Sequence, residues 1–96
     1  MAVIGTINKQ PREIVDFDIS YSKLMQGRTD QIVSATVEIS PEGELEYLAP
    51  VINNPFVKVT LSGGVTNSVY TVTVLASTTA GLRYEDEVYV NVEEIS

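Results

Sequence analysis

The stretch that decides the fold runs from Leu61 to Val92 and reads LSGGVTNSVYTVTVLASTTAGLRYEDEVYVNV. Side chains of a β-strand point alternately to opposite faces, so apolar residues at every second position indicate a strand with one buried face. Two such strands follow one another here, separated by a turn at residues 78–81. The inward residues are predicted to be Tyr70, Val72, Val74, Ala76, Tyr84, Asp86, Val88, Val90 and Val92. The outward face of the second strand is acidic and carries Glu85, Glu87, Tyr89, Asn91 and Glu93.

The same alternation predicts further strands over residues 13–21, 31–39, 44–51 and 56–61. Their predicted inward residues are Val15, Phe17, Ile19, Tyr21, Val33, Ala35, Val37, Ile39, Leu45, Tyr47, Ala49, Val57, Val59 and Leu61. Pro50 interrupts the strand at 44–51, which is therefore expected at a sheet edge. Residues 22–27 predict one helical turn in which Leu24 or Met25 closes one end of the core. Six to seven short strands with so little helix are typical of an antiparallel β-sandwich.

The first eleven residues are predicted to form an extended N-terminal arm ahead of a single domain at 12–96. The arm contains the apolar residues Val3, Ile4 and Ile7, and Pro11 ends it by removing a backbone donor. Two interpretations stay open. The arm either pairs with an edge of its own sheet or adds as a strand to the sheet of a neighbouring protein, where Val3, Ile4 and Ile7 would contact the partner.

Composition limits the functions that the chain can serve. Its 96 residues suffice for one small core, and a net charge of −7 argues against nucleic acid and anionic membrane surfaces as partners. With no Cys and no His, the chain lacks a thiolate nucleophile, a disulfide and the best zinc ligands. We expect no enzymatic activity, no cofactor and no metal. No signal peptide or membrane-length apolar run is recognisable, so we expect synthesis in a cytoplasm and use without export by a signal.

Three groups of residues allow a functional interpretation beside a purely structural one. Glu38, Glu42, Glu44 and Glu46 could bind a hard cation, but their spacing follows the solvent face of a strand, which favours a solvated acidic edge. The stretch Ser62-Gly63-Gly64 is not followed by the Lys-Ser/Thr of a phosphate loop, which favours a turn. Tyr89 is different: an exposed aromatic surrounded by Glu85, Glu87 and Asn91 is a plausible contact anchor, and packing and contact are held nearly even.

Landmarks spread over residues 13–93 carry a resemblance to a known family. They are the strand end DISY at 18–21, Leu24 and Gly27, DQIVS at 30–34, VTLSGG at 59–64, YTVT at 70–73, and TTAG at 78–81 before Val88, Val90 and Val92. In this order and spacing they resemble the small immunoglobulin-like virion structural proteins of tailed bacteriophages, from the fibre–tail adaptor and head–tail region. The resemblance implies an all-β, antiparallel immunoglobulin-like β-sandwich of about seven strands. The arm at 1–10 lies outside it.

The resemblance also implies a function. We expect a non-enzymatic virion protein, a tail, neck or fibre–tail adaptor that contacts other virion proteins and copies of itself in a symmetric homo-oligomeric assembly. Decoration of the capsid exterior is the nearest alternative, and a module that binds glycans or cell surfaces is a more distant one, since it would need a concave face with exposed aromatics.

Overall fold

The computed structural model describes residues 2–25 and 29–94, with side chains described for 5–23 and 29–94. This part of the chain forms eight strands and one short helix. In chain order they are β1 (Ala2–Lys9), β2 (Val15–Ser20), α1 (Ser22–Met25), β3 (Ile32–Ser40), β4 (Leu45–Tyr47), β5 (Val51–Asn53), β6 (Phe56–Gly63), β7 (Ser68–Thr78) and β8 (Arg83–Val92). None of the described helical residues forms a helix long and apolar enough to cross a membrane.

The strands form two packed sheets, as the immunoglobulin-like sandwich requires. Sheet A has the order β1-β8-β7-β3, in which β1 runs parallel to β8 and the other pairs are antiparallel. Sheet B has the order β2-β6-β4, and β5 also pairs with β6. Because β4 and β5 pair with opposite ends of β6, they act as one edge strand that is interrupted at residues 48–50. The edge position predicted from Pro50 is therefore confirmed.

The core lies between the sheets and is built mainly from valine. Val57, Val59 and Leu61 of β6 have no exposed surface, and neither do Val72 and Val74 of β7. The predicted inward faces of β6 and β7 are thus confirmed over their whole length. β-branched valine suits this position because its stiff side chain packs well on a pleated surface.

The prediction for β3 is wrong at its start. Val33 was expected inside and Ile32 outside, but Ile32 is 2% exposed and Val33 is 55% exposed. The register with β7 shifts between Ile32 and Ser34, which marks an irregularity of the β-bulge kind. Such a bulge adds one residue to a strand and reverses the face on which all earlier side chains lie, so a strict alternation cannot hold across it.

The prediction for the edge strand is also partly wrong. Leu45 is buried as expected, whereas Tyr47 is 45% exposed and Ala49 is exposed. The pairing of β4 with β6 ends at Tyr47, so the pleat that would turn Ala49 inward is lost. The turn predicted at 22–27 is present as α1, while the side chains of Leu24 and Met25, and Gly27 itself, lie outside the described residues.

The N-terminal segment is extended, as predicted, and within this chain it forms the outer strand of sheet A. Of the two open interpretations, pairing with its own sheet is the one that the structure describes. Ile7 is half-buried and packs against the core, while the side chains of Val3 and Ile4 lie outside the described ones. Contact of this segment with a neighbouring protein stays a prediction.

Candidate contact surfaces

The outer face of sheet A brings together the residues predicted around Tyr89. Glu85, Glu87, Tyr89 and Asn91 share one face of β8, which is an inner strand of the sheet. Tyr89 is 38% exposed, and threonines lie beside it on both neighbouring strands, Thr6 of β1 and Thr71 of β7. The result is a flat, acidic and hydroxyl-rich face with one aromatic ring near its middle.

A buried lysine fixes the end of β1, and the sequence interpretation missed it. Lys9 is 2% exposed. Its Nζ donates hydrogen bonds to the carbonyl oxygens of Gln10 at 2.8 Å, Pro11 at 3.5 Å and Gly63, which belongs to the other sheet. Burial lowers the pKa of Lys9, and the charge of Glu13 opposes that change. The ammonium therefore ties β1 to the end of β6.

The sequence did hold a signal for Lys9. Ile7 and Lys9 are two positions apart, and in a strand two residues at that spacing share a face. Continuing the alternation past Ile7 places the lysine inside, but its charge makes that position improbable in a sequence taken alone, because an ionised group loses its hydration on burial. Only the carbonyls that the fold brings to Nζ make the position favourable.

Several family landmarks meet at the turn between β7 and β8. The Asp30 carboxylate accepts hydrogen bonds from its neighbour Gln31 N at 3.0 Å, from the Thr79 hydroxyl and from Ala80 N at 2.9 Å. These bonds, above all that from Thr79, lower the pKa of Asp30 to about 2. Residues 30 and 78–81, far apart in sequence, thus form one structural unit at one end of the sandwich, with no sign of a reactive group.

The predicted turn at the SGG landmark is only partly present: Ser62 and Gly63 still belong to β6, and Gly64 begins the loop to β7. Gly63 and Gly64 both have positive φ, at 74° and 99°, a backbone conformation that residues other than glycine rarely adopt. A Cβ on Gly64 would lie 2.8 Å from Val92 Cγ2, so the loop packs directly against the core. Close by, Val65 N donates a hydrogen bond to the Tyr70 hydroxyl at 3.0 Å, which explains why Tyr70 can be almost fully buried.

At one end of the core the buried side chain of Tyr21 lies near the half-buried Asp86. The Tyr21 ring lies 6.1 Å from that of Tyr84, and its hydroxyl has no hydrogen-bond partner of good geometry in the described part of the chain. Burial, with the nearby charge of Asp86, raises the pKa of Tyr21 well above its ordinary value. Burial also raises the pKa of Asp86, and the Tyr21 hydroxyl opposes that change. Tyr21 is buried and Asp86 is half-buried, which suits a structural role.

The four clustered glutamates Glu38, Glu42, Glu44 and Glu46 are all exposed. Among the described residues, no group of three or more His, Cys, Asp or Glu side chains converges as a metal site would require. Three of the four line an open groove between β3 and β4. Sheet B has a separate group of exposed apolar residues, in which Leu48 is 60%, Val51 59% and Phe56 42% exposed. The exposure of all four glutamates agrees with the predicted solvated acidic edge. The groove and the apolar group of sheet B were not predicted, because both depend on which strands become edges.

Solved structures with a similar fold support the sandwich. The PKD domain of the KIAA 1837 protein matches with a TM-score of 0.55 and 19% identity, over 95% of this chain and 83% of that one. A 2,6-sialyltransferase from Photobacterium sp. JT-ISH-224 matches with a TM-score of 0.62 and 13% identity, and the match covers 95% of this chain and 17% of the enzyme. At these identities the likeness concerns the fold alone. A search of curated proteins found no match in sequence.

A family model gives the more specific result. Residues 9–91 match the family described as podophage GP4 fiber-tail adaptor protein gp77. The match begins at the buried Lys9 and ends at Asn91 of β8, so it includes every strand of both sheets except most of β1. The expected relationship is confirmed: this chain belongs to the podophage fibre–tail adaptor family.

Proposed function

We propose that this protein is a non-enzymatic connector in the virion, which joins fibre and tail proteins in a symmetric assembly of its own copies. The observation that carries the proposal is the family match over residues 9–91, since an adaptor acts by contacting other virion proteins. It favours the tail region over capsid decoration. The host bacterial cytoplasm is the place of synthesis in this proposal.

The outer face of sheet A is our proposed contact surface. Tyr89 offers a rigid aromatic side chain, and Glu85, Glu87 and Asn91 surround it with polar groups that can select a partner. The residues paired with Tyr89 on the two neighbouring strands, Thr6 and Thr71, have short side chains, so a partner can approach the ring from these sides. In a symmetric ring or sleeve each such contact is repeated, and modest single contacts add up to a stable attachment.

The test is Tyr89→Ala in a phage that depends on this protein, with incorporation into particles as the readout. The control is Ile14→Ala, because Ile14 is 72% exposed and lies at the start of sheet B, away from this face. We expect incorporation to fall for Tyr89→Ala and to stay normal for the control, with both variants folded by circular dichroism. Normal incorporation of the Tyr89 variant would refute this contact surface.

The same variants examine the glycan-binding alternative. If Tyr89→Ala loses binding on a glycan array but is still incorporated normally into particles, the glycan-binding module would be favoured over the connector. The proposed role of β1 in trans is tested by deletion of residues 1–10, with the mass of the assembly measured by analytical ultracentrifugation. An unchanged assembly of a folded deletion variant would refute any partner contact through Val3, Ile4 and Ile7.

A further inference from the structure

A groove of about 750 Å³ opens on the side of the sandwich where β3 ends sheet A and β4 ends sheet B. Val37 and Leu45 form its floor and are nearly fully buried, and Ile39 beside them is half-buried. Tyr47 stands at its rim with 45% of its surface exposed. The accessible apolar surface of the groove therefore comes mainly from Ile39 and Tyr47, between two strand edges.

The β3 side of this groove is a regular strand edge. From Ala35 to Ser40 the register with β7 is unbroken, and in the described part of the chain no strand pairs with the other side of β3. Every second residue of such an edge directs its backbone N–H and C=O groups outward, where they can pair with an added strand. Six residues of strand span about 20 Å.

The other end of the same strand is closed. The Asn54 side chain accepts a hydrogen bond from Ile32 N at 2.7 Å and donates one to Ile32 O at 3.0 Å. The register shift before Ser34 adds a second obstacle there. The first residues of β3 are thus protected from pairing with another strand, whereas residues 35–40, next to the groove, are not.

The negative charge of the groove indicates which kind of segment can bind there. Glu38, Glu42 and Glu46 line it, and among the residues that the structure describes no Lys or Arg does. The acidic faces of a second copy are poor occupants, because the chain carries a net charge of −7 and like charges repel. A basic segment would find opposite charge at both rims and apolar surface between them.

We propose that an extended segment of a partner protein, in which apolar and basic residues alternate, adds to β3 as a fifth strand of sheet A. Its apolar side chains cover Val37 and Leu45, and its basic side chains, on the opposite face of the new strand, lie near Glu38. Glu42 and Glu46 attract the segment as it enters from the sheet B side. The alternation sets the register, since a shift by one residue would bring the charges over the apolar floor.

A capped eight-residue peptide of alternating lysine and valine is a suitable probe, titrated into the ¹⁵N-labelled full chain and followed by NMR. We expect saturable shifts in the amides of 35–40 and 45–47, with affinity that falls as salt is added. A peptide with glutamate in place of lysine should bind about tenfold more weakly or not at all. A lysine–valine peptide with alternate backbone nitrogens methylated should also fail, because it lacks the donors of an added strand.

The matched protein variants are E42K/E46K at the groove and E93K/E94K at the far end of β8, which change the net charge equally. Only the groove variant should lose affinity, by about tenfold, and it should gain affinity for the glutamate peptide. Absence of saturable binding, shifts centred on the Tyr89 face, or equal binding of the acidic peptide would overturn the proposal. Equal binding of the methylated peptide would overturn strand addition. Self-association through 35–40 in the absence of peptide would make a second copy the occupant and would overturn the choice of a basic partner.

Discussion

Replacing Lys9 with methionine should destabilise the protein although the site is buried. Methionine keeps the length and the apolar stem of the side chain and removes the ammonium. The carbonyl of Gly63 then loses the donor that joins it to β1, and the carbonyl of Gln10 loses a bond of 2.8 Å. The change separates the hydrogen bonds of Lys9 from its packing.

The size of the loss follows from these contacts. A hydrogen bond from a charged donor contributes about 1.5–3 kcal/mol, and Lys9 makes two short ones and one long one. Burial of the ammonium opposes them, which the lowered pKa of Lys9 reflects. We therefore expect the free energy of unfolding to fall by about 1–2 kcal/mol, less than the sum of the bonds. For a domain of this size that corresponds to a melting temperature lower by about 5–15 °C.

Urea unfolding followed by circular dichroism measures this difference, and hydrogen exchange locates it. Exchange should accelerate most in the second half of β1 and at residues 90–93, because Glu93 N donates a hydrogen bond to Lys9 O at 2.9 Å. Lys58→Met is the control, since Lys58 is exposed on sheet B. A Lys9 variant as stable as the wild type, or more stable, would refute the reasoning. It would mean that desolvation cancels the hydrogen bonds, as it does for many buried charges.

Two further changes test the turns. In Asp30→Asn the stability should depend less on acid. The carboxylate has a pKa of about 2 in the folded protein against an ordinary value of 3.8, so it stabilises the fold above pH 3.8, and this contribution disappears as the pH falls toward 2. Urea midpoints measured across that range check it, and a parallel loss in wild type and variant would contradict it. Gly64→Ala should cost at least about 2 kcal/mol, because the new Cβ meets Val92 at a φ of 99°. Gly5→Ala, with nothing within 4 Å of its Cβ, should change thermal unfolding far less, and equal losses would contradict the steric argument.

The sandwich could be predicted because its central strands obey the pleat without interruption. Val72, Val74 and Ala76 alternate with partly exposed residues along the whole of β7, and each is fully buried. β7 has neighbours on both sides, so its backbone is held in regular geometry and periodicity translates directly into burial. The same holds for β6 in sheet B.

The errors concentrate at strands that form edges. Val33 was misplaced by a bulge in β3, and Tyr47 by the early end of pairing in β4. Edge strands have a partner on one side only, which permits extra residues and early endings that no alternation pattern encodes. The contact surfaces depend on these edges, so they were harder to predict than the core. Tyr89 could be placed because it lies on the inner strand β8.

The distribution of edge protection connects the fold with the adaptor family. Sheet B protects the β4–β5 edge by interrupting it at 48–50, where Pro50 lies. Sheet A protects β8 by covering it with β1 and anchoring the end of β1 through Lys9. It protects the start of β3 through Asn54. An unpaired edge invites association, so natural sandwiches close or interrupt their edges. Among the described residues the outer edges of β1 and β2 are also unpaired. The edge at 35–40 combines an unbroken register with an adjacent acidic groove that has an apolar floor, and in an adaptor this combination suits a place for a partner to add its own strand.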